Sequence, residues 1–210
     1  MGDKDELPEL NKPIETVPEV AGDLSAYSKA VNELARAGST LVFMNDSEDH
    51  AAIVIEAMIK HASKEILMYD GQLKGDVSGR SDTFLETIQE FVTTRKGTLR
   101  MVMDDDEFTG SPVESVLLGL RAAHPERVDI RRASEKFIAE VDALRDEFRF
   151  NSPIHFTVGD ARMFRIELPK GKRKGYCCFN NHFVSRELNK AFQRAFVTCK
   201  SFMPEAVACS

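Results

Sequence analysis

No apolar run in this sequence reaches the roughly 18 to 20 residues that span a bilayer. The longest, around Ile53–Ile59 and Val113–Ala123, are interrupted by Glu56, Glu114 and Arg121, so no membrane span is expected. The first residues, Met1-Gly2-Asp3-Lys4-Asp5-Glu6, are acidic and lack the apolar stretch and small-residue cleavage site of a secretory signal. The expected location is cytoplasmic. Cysteine is scarce: Cys177, Cys178, Cys199 and Cys209 all fall in the last fifth of the chain, without the Cys-x2-Cys or Cys/His spacing of a zinc site. Reduced thiols and no resident cofactor are expected. A basic surplus is missing as well. The formal charge is −6, and most of it sits in residues 1–24, where Asp3, Asp5, Glu6, Glu9, Glu15, Glu19 and Asp23 face only Lys4 and Lys12. The remainder is close to neutral, so any contact with nucleic acid has to be local.

What is present suffices for a core: 42% of the 210 residues are hydrophobic. Residues 1–21, with Pro8, Pro13 and Pro18 among acids, read as a flexible acidic leader suited to docking on a protein partner. Residues 22–200 read as one α/β domain and 201–210 as a C-terminal tail. Asp23 caps a helix of spacing Leu24, Tyr27, Val31, Leu34 that Gly38 ends. Thr40–Met44 reads as a buried strand passing into a helix capped within Asn45-Asp46-Ser47. Strands at 65–69, 98–103 and 128–131 alternate with helices at 82–95 and 112–123, the second opened by Ser111-Pro112. That alternation predicts a mostly parallel or mixed sheet with helices on both faces. After a charged helix at 134–148, three strand-like runs crowd together at 154–158, 162–167 and 176–179, separated by hairpin chemistry, and a helix at 183–199 follows. Phe202, Met203 and Val207 lie beyond it and are expected to cover a partner or fray.

The carboxyl ends of strands are where open α/β sheets keep their ligands. Asp46, Asp70 and Asp104 all fall there, but the corner at Asn45-Asp46-Ser47 has no glycine, and its acids would repel phosphate. Asp104-Asp105-Asp106-Glu107 offers oxygen ligands for Mg²⁺ without a fixed ligand spacing; no metal site is assigned. Lys170-Gly171-Lys172-Arg173-Lys174 is the one dense basic run, placed in a hairpin loop. Lys172, Arg173 and Lys174 are candidate phosphate contacts.

The richest segment runs from Ser152-Pro153-Ile154-His155 through Asp160, Arg162, Arg165 and Glu167 to Gly175-Tyr176-Cys177-Cys178-Phe179-Asn180. Together with the phenylalanine-bearing last helix it resembles the second part of a phospholipase D-like domain, whose pattern is His-x-Lys-x4-Asp, a hairpin strand, Gly-Ser-x-Asn and a helix. Asp160 matches the family aspartate and Asn180 the asparagine, while Pro153 stands at the histidine position and His155 at the lysine position. Placing His155 on the family histidine instead puts Thr157 on the lysine and Arg162 on the aspartate, a poorer register. The family histidine attacks phosphorus, and proline cannot. The resemblance therefore implies a catalytically degenerate phospholipase D-like domain, homodimeric like the single halves of that family, acting as a binding or assembly module for a phosphate-bearing ligand or nucleic acid. His155, Arg162, Arg165 and Asn180 are its expected anion site. Two alternatives stand beside it: a hydrolase or nuclease using His155 with Asp160, or the acidic run with Mg²⁺; and a regulatory subunit of another enzyme.

Overall fold

The computed structural model describes residues 23–70, 82–104, 111–168 and 174–202. The expected leader at 1–21, the acids 105–107, the basic residues Lys172 and Arg173, and Met203, Val207 and Cys209 lie outside them.

Each helix begins where its cap residue sits. Asp23 accepts the N–H groups of Ser25 and Ala26 to open α1 (Leu24–Ala37), and Gly38 closes it in the left-handed conformation at φ 56°. Ser47 opens α2 (Glu48–His61) by accepting the N–H of His50. Helix α3 covers Asp82–Thr93. A reciprocal capping box between Ser111 and Glu114, with Pro112 in the first turn, starts α4 (Pro112–Ala123). Ser134 caps α5 (Glu135–Glu147) and Asn181 caps α6 (His182–Phe196).

The strands are β1 (Phe43–Asn45), β2 (Glu65–Asp70), β3 (Thr98–Met103), β4 (Val128–Arg132), β5 (His155–Gly159), β6 (Met163–Glu167), β7 (Gly175–Cys178) and β8 (Lys200–Ser201). They form one sheet in the order β1-β7-β6-β5-β2-β3-β4-β8. The sheet is mixed, and its parallel part is β2-β3-β4; β5, β6 and β7 follow as antiparallel neighbours. Helices cover both faces. Helices α1 to α4 pack over Ile66, Met68, Met101 and Cys177, while α5 and α6 pack over Leu67, Tyr69, Phe156 and Phe164. On the second face Phe192 lies edge-on to Phe137 (5.5 Å) and stacks on Phe196 (5.2 Å). Truncating a phenylalanine so placed costs about 3–5 kcal/mol.

Two expectations are corrected. The run Thr40–Met44 is not a fully buried strand: only Phe43–Asn45 pairs, at the sheet edge and antiparallel to β7, with Met44 facing outward. A strand with one neighbour needs few apolar residues, so an apolar run alone did not place it. The chain after α6 is not loose where described. Ser201 pairs with Arg131 in β4, Phe202 is buried and donates its N–H to Ile130, and Arg121 binds the Phe202 carbonyl.

Candidate functional site

Strand direction puts the ends of β1, β2, β3 and β6 and the starts of β5 and β7 at one edge of the sheet, called upper here. The register aligns His155 with Glu167, and Glu167 with Gly175, which in turn faces Asn45. One step inward, Thr157, Arg165 and Cys177 align in the same way. Period-two alternation turns both rows to the face covered by α1 and α2. A polar ladder is therefore sealed under helices: Asn45 is 0%, Glu167 1%, and His155 and Arg165 each 3% exposed.

Burial of this kind demands partners. Arg165 Nη1 lies 3.2 Å from Glu167 Oε2, and Arg165 Nε donates to Asn45 Oδ1 at 3.0 Å. The Cys177 thiol donates to the same Asn45 oxygen at 3.4 Å. Gly175 lets Asn45 in: a Cβ there would sit 2.6 Å from the Ile166 carbonyl oxygen and 3.3 Å from Asn45 Oδ1. His155 Nε2 is 3.2 Å from Asp104 Oδ2, and the Tyr69 hydroxyl donates to Asp104 Oδ1 at 2.5 Å. The other imidazole nitrogen, Nδ1, makes no hydrogen bond within the described residues; Asp70 Oδ1 and Glu167 Oε1 stand 3.8 and 3.9 Å away. The Tyr27 hydroxyl on α1 is likewise buried without a hydrogen-bond partner there. Burial, then the neighbouring Cys177 and Asp46, pushes its pKa far up against the opposing pull of Arg165. Burial also pushes the Cys177 thiol up to about 12, with Arg165 pulling the other way, so it is not a thiolate at neutral pH.

The expected anion group is divided. His155 and Arg165 lie toward the upper edge on either side of Glu167, and the carboxylates of Asp70, Asp104 and Glu167 flank His155. Arg162 and Asn180 lie at the lower edge, roughly 13 Å of strand rise away. There Arg162 donates to the carbonyls of Phe179 (3.0 Å) and His61 (2.9 Å). Asp160 is also at the lower edge, so it does not partner His155. Its carboxylate accepts the N–H groups of Ser63 (2.7 Å), Lys64 (2.8 Å) and Glu65 (3.0 Å) and the Ser63 hydroxyl (3.0 Å). Burial works to raise the Asp160 pKa, and these donors together outweigh it and hold it below the ordinary carboxylate range. Asp160 and Ala161 both take φ 51° within the three-residue connection Asp160 to Arg162 that hands β5 to β6, closed by the Arg162 N–H on the Gly159 carbonyl. Lys174 is exposed, and its carbonyl accepts the Leu168 N–H where β6 and β7 begin to pair. Among the described residues no cluster of histidine, cysteine and acids is arranged to hold a metal ion.

Sequence reasoning anticipated that Asp46, Asp70 and Asp104 would share the carboxyl edge. It placed Asn45 in that corner but not against Arg165, and it missed Tyr27, Tyr69 and Cys177 as parts of the same cluster. The alternation of polar residues at 155, 157, 165 and 167 within otherwise apolar strands was the available signal.

No family model and no curated protein matches this chain. Solved structures do. One is of TrmBL2, an archaeal chromatin protein described as showing a novel mode of DNA binding. The TM-score is 0.53 at 12% identity, over 84% of this chain and 61% of that one, so the chain spans about three fifths of that protein's length. This likeness is one of fold.

Proposed function

We propose that this chain is a phospholipase D-like α/β domain that no longer turns over phosphodiesters and serves as a binding or assembly module for phosphate-bearing ligands, foremost nucleic acid. The observation that carries the reading is the state of the residue at the family's lysine position. His155 is 3% exposed and enclosed by Asp70, Asp104 and Glu167, while Pro153 occupies the nucleophile's place. A phosphate entering there would meet carboxylates before it met a cation, and no imidazole is aligned to attack it. The DNA binding stated for the similarly folded chromatin protein supports nucleic acid as the ligand class. Pairing of two chains, as in single-half members of the resembled family, belongs to the same reading, as does a cytoplasmic setting.

The test is direct. Purified protein is incubated with bis(p-nitrophenyl) phosphate, single- and double-stranded DNA, RNA and phosphatidylcholine vesicles, with Mg²⁺, Mn²⁺ or EDTA, and duplex DNA binding is followed by fluorescence anisotropy. Expected are no turnover above buffer and saturable, salt-sensitive binding. Turnover that disappears in His155→Ala would overturn the non-catalytic assignment.

A further inference from the structure

The edge of the sheet opposite the carboxylates collects four cations from three successive helix-to-strand connections. Arg36 lies in the last turn of α1 and Lys60 in the last turn of α2; Lys64 precedes β2 and Lys96 precedes β3. All four are exposed. Hydrogen bonds join their neighbourhoods into one surface. Arg95 donates to the carbonyls of Ile59 (2.6 Å), Lys60 (2.8 Å) and Ala62 (2.9 Å), Arg127 donates to that of Lys96 (2.5 Å), and the Thr98 N–H reaches the Lys64 carbonyl (2.9 Å). Arg162 is tied to the same corner through the His61 carbonyl. The positive field is registered by His61, whose pKa is lowered by burial first and then by Lys60, Arg162, Arg95 and Arg36.

Three of the carboxylates on this edge are engaged. Asp160 is saturated by N–H donors. Glu65 accepts from Asn189 at 2.9 Å and lies 4.0 Å from Arg100, and Glu126 lies 3.1 Å from Arg127. Complementing helix dipoles accounts for Arg36 and Lys60 at helix C-termini. It does not account for Lys64 and Lys96, which stand outside the helices and form no ion pair among the described residues. Lys96 also holds φ 61°, a left-handed conformation that costs a non-glycine residue about 1 kcal/mol.

We infer that this lower rim, and not the upper cluster, is the face that grips the phosphate backbone of duplex nucleic acid, through Arg36, Lys60, Lys64 and Lys96. The inference rests on the nucleic-acid reading above and locates it. The pinned guanidiniums of Arg95, Arg127 and Arg162 supply fixed field, and the exposed side chains supply contacts to phosphate oxygens. The acidic upper edge keeps the duplex on one side. Contacts of this type recognise charge and not base sequence.

Anisotropy titrations of the full chain with a fluorescent 20-base-pair duplex, between 50 and 200 mM salt, test it. The variant is Lys60→Gln/Lys64→Gln/Lys96→Asn, with asparagine chosen because it tolerates φ above zero. Lys136→Gln, an exposed change on α5, is the control. Unchanged thermal midpoints verify folding. Expected is tight binding by the wild type and the control, with at least about a tenfold loss in the triple variant and a salt slope reduced by up to about 3, close to 0.9 per lost phosphate contact. Equal affinity and slope in wild type and triple variant would sink the rim while leaving nucleic-acid binding intact. Absence of wild-type binding at 50 mM salt would sink both, and the turnover assay would still decide the non-catalytic reading by itself.

Discussion

Glu167→Gln removes one charge from the sealed upper cluster and leaves its size unchanged. In the wild type the Glu167 carboxylate is 3.2 Å from Arg165, with side-chain exposures of 2% and 4%. Neutralising one partner of so buried a pair leaves the other charge less compensated, at a cost of about 3–5 kcal/mol. For a chain of this length each kcal/mol moves the thermal midpoint by about 2–4 °C, so a fall of roughly 6–20 °C is expected. Arg165→Met should cost a similar amount by taking the paired guanidinium away from the buried Glu167 carboxylate. The double change Arg165→Met/Glu167→Gln should recover much of the loss, because neither ion then remains. Urea unfolding followed by far-UV circular dichroism at pH 7 measures all three variants and closes the double-mutant cycle. A Glu167→Gln cost below about 1 kcal/mol with no coupling in the cycle would refute the reasoning. Such a result would mean that water reaches the pair and that the upper cluster is an open site.

Asp160→Asn keeps the hairpin shape but weakens acceptance of the Ser63, Lys64 and Glu65 N–H groups, at a cost of about 1–3 kcal/mol at pH 7 in a urea titration. Because the folded-state pKa of Asp160 is depressed, its stabilisation is present above about pH 4, the unfolded value, and is lost as pH falls through the lower folded value. Wild-type stability should therefore drop more steeply than that of Asp160→Asn below pH 4; parallel pH profiles would contradict this. Gly175→Ala brings a Cβ to 2.6 Å from the Ile166 carbonyl oxygen and should lower the urea midpoint by the equivalent of about 1–3 kcal/mol, whereas wild-type stability in that variant would disprove the close approach. Cys177, Cys178 and Cys199 are buried with raised pKa values. A Cys209→Ser variant should accordingly show no fast thiol toward Ellman's reagent at pH 8 and three after denaturation; fast labelling of the native protein would show that at least one of these three sulfurs is open to solvent.

Local chemistry wrote most of the elements into the sequence. Asp23, Ser47 and Ser111 each have a short polar side chain that satisfies free helix N–H groups wherever the rest of the fold lies, so these helix starts were readable from neighbours alone, whereas the cap at Asn181 was not picked out. The strands of the parallel unit and the hairpin strands were legible for the same reason, as apolar runs bounded by turn residues. Strand order was not. The edge place of β1 and the pairing of β8 with β4 depend on which backbone edge is left open after the central strands associate, and no short window of residues carries that information. The candidate site divides along the same line. Residues 155 to 180 announced a concentration of polar groups, but sequence proximity grouped His155 with Asp160 and Arg162, and five residues of extended strand carry them to opposite edges. Only tertiary structure brought Asp104 to His155 across 51 positions and Asn45 to Arg165 across 120. By doing so it enclosed the imidazole in carboxylates and left the lysines of the lower rim facing solvent.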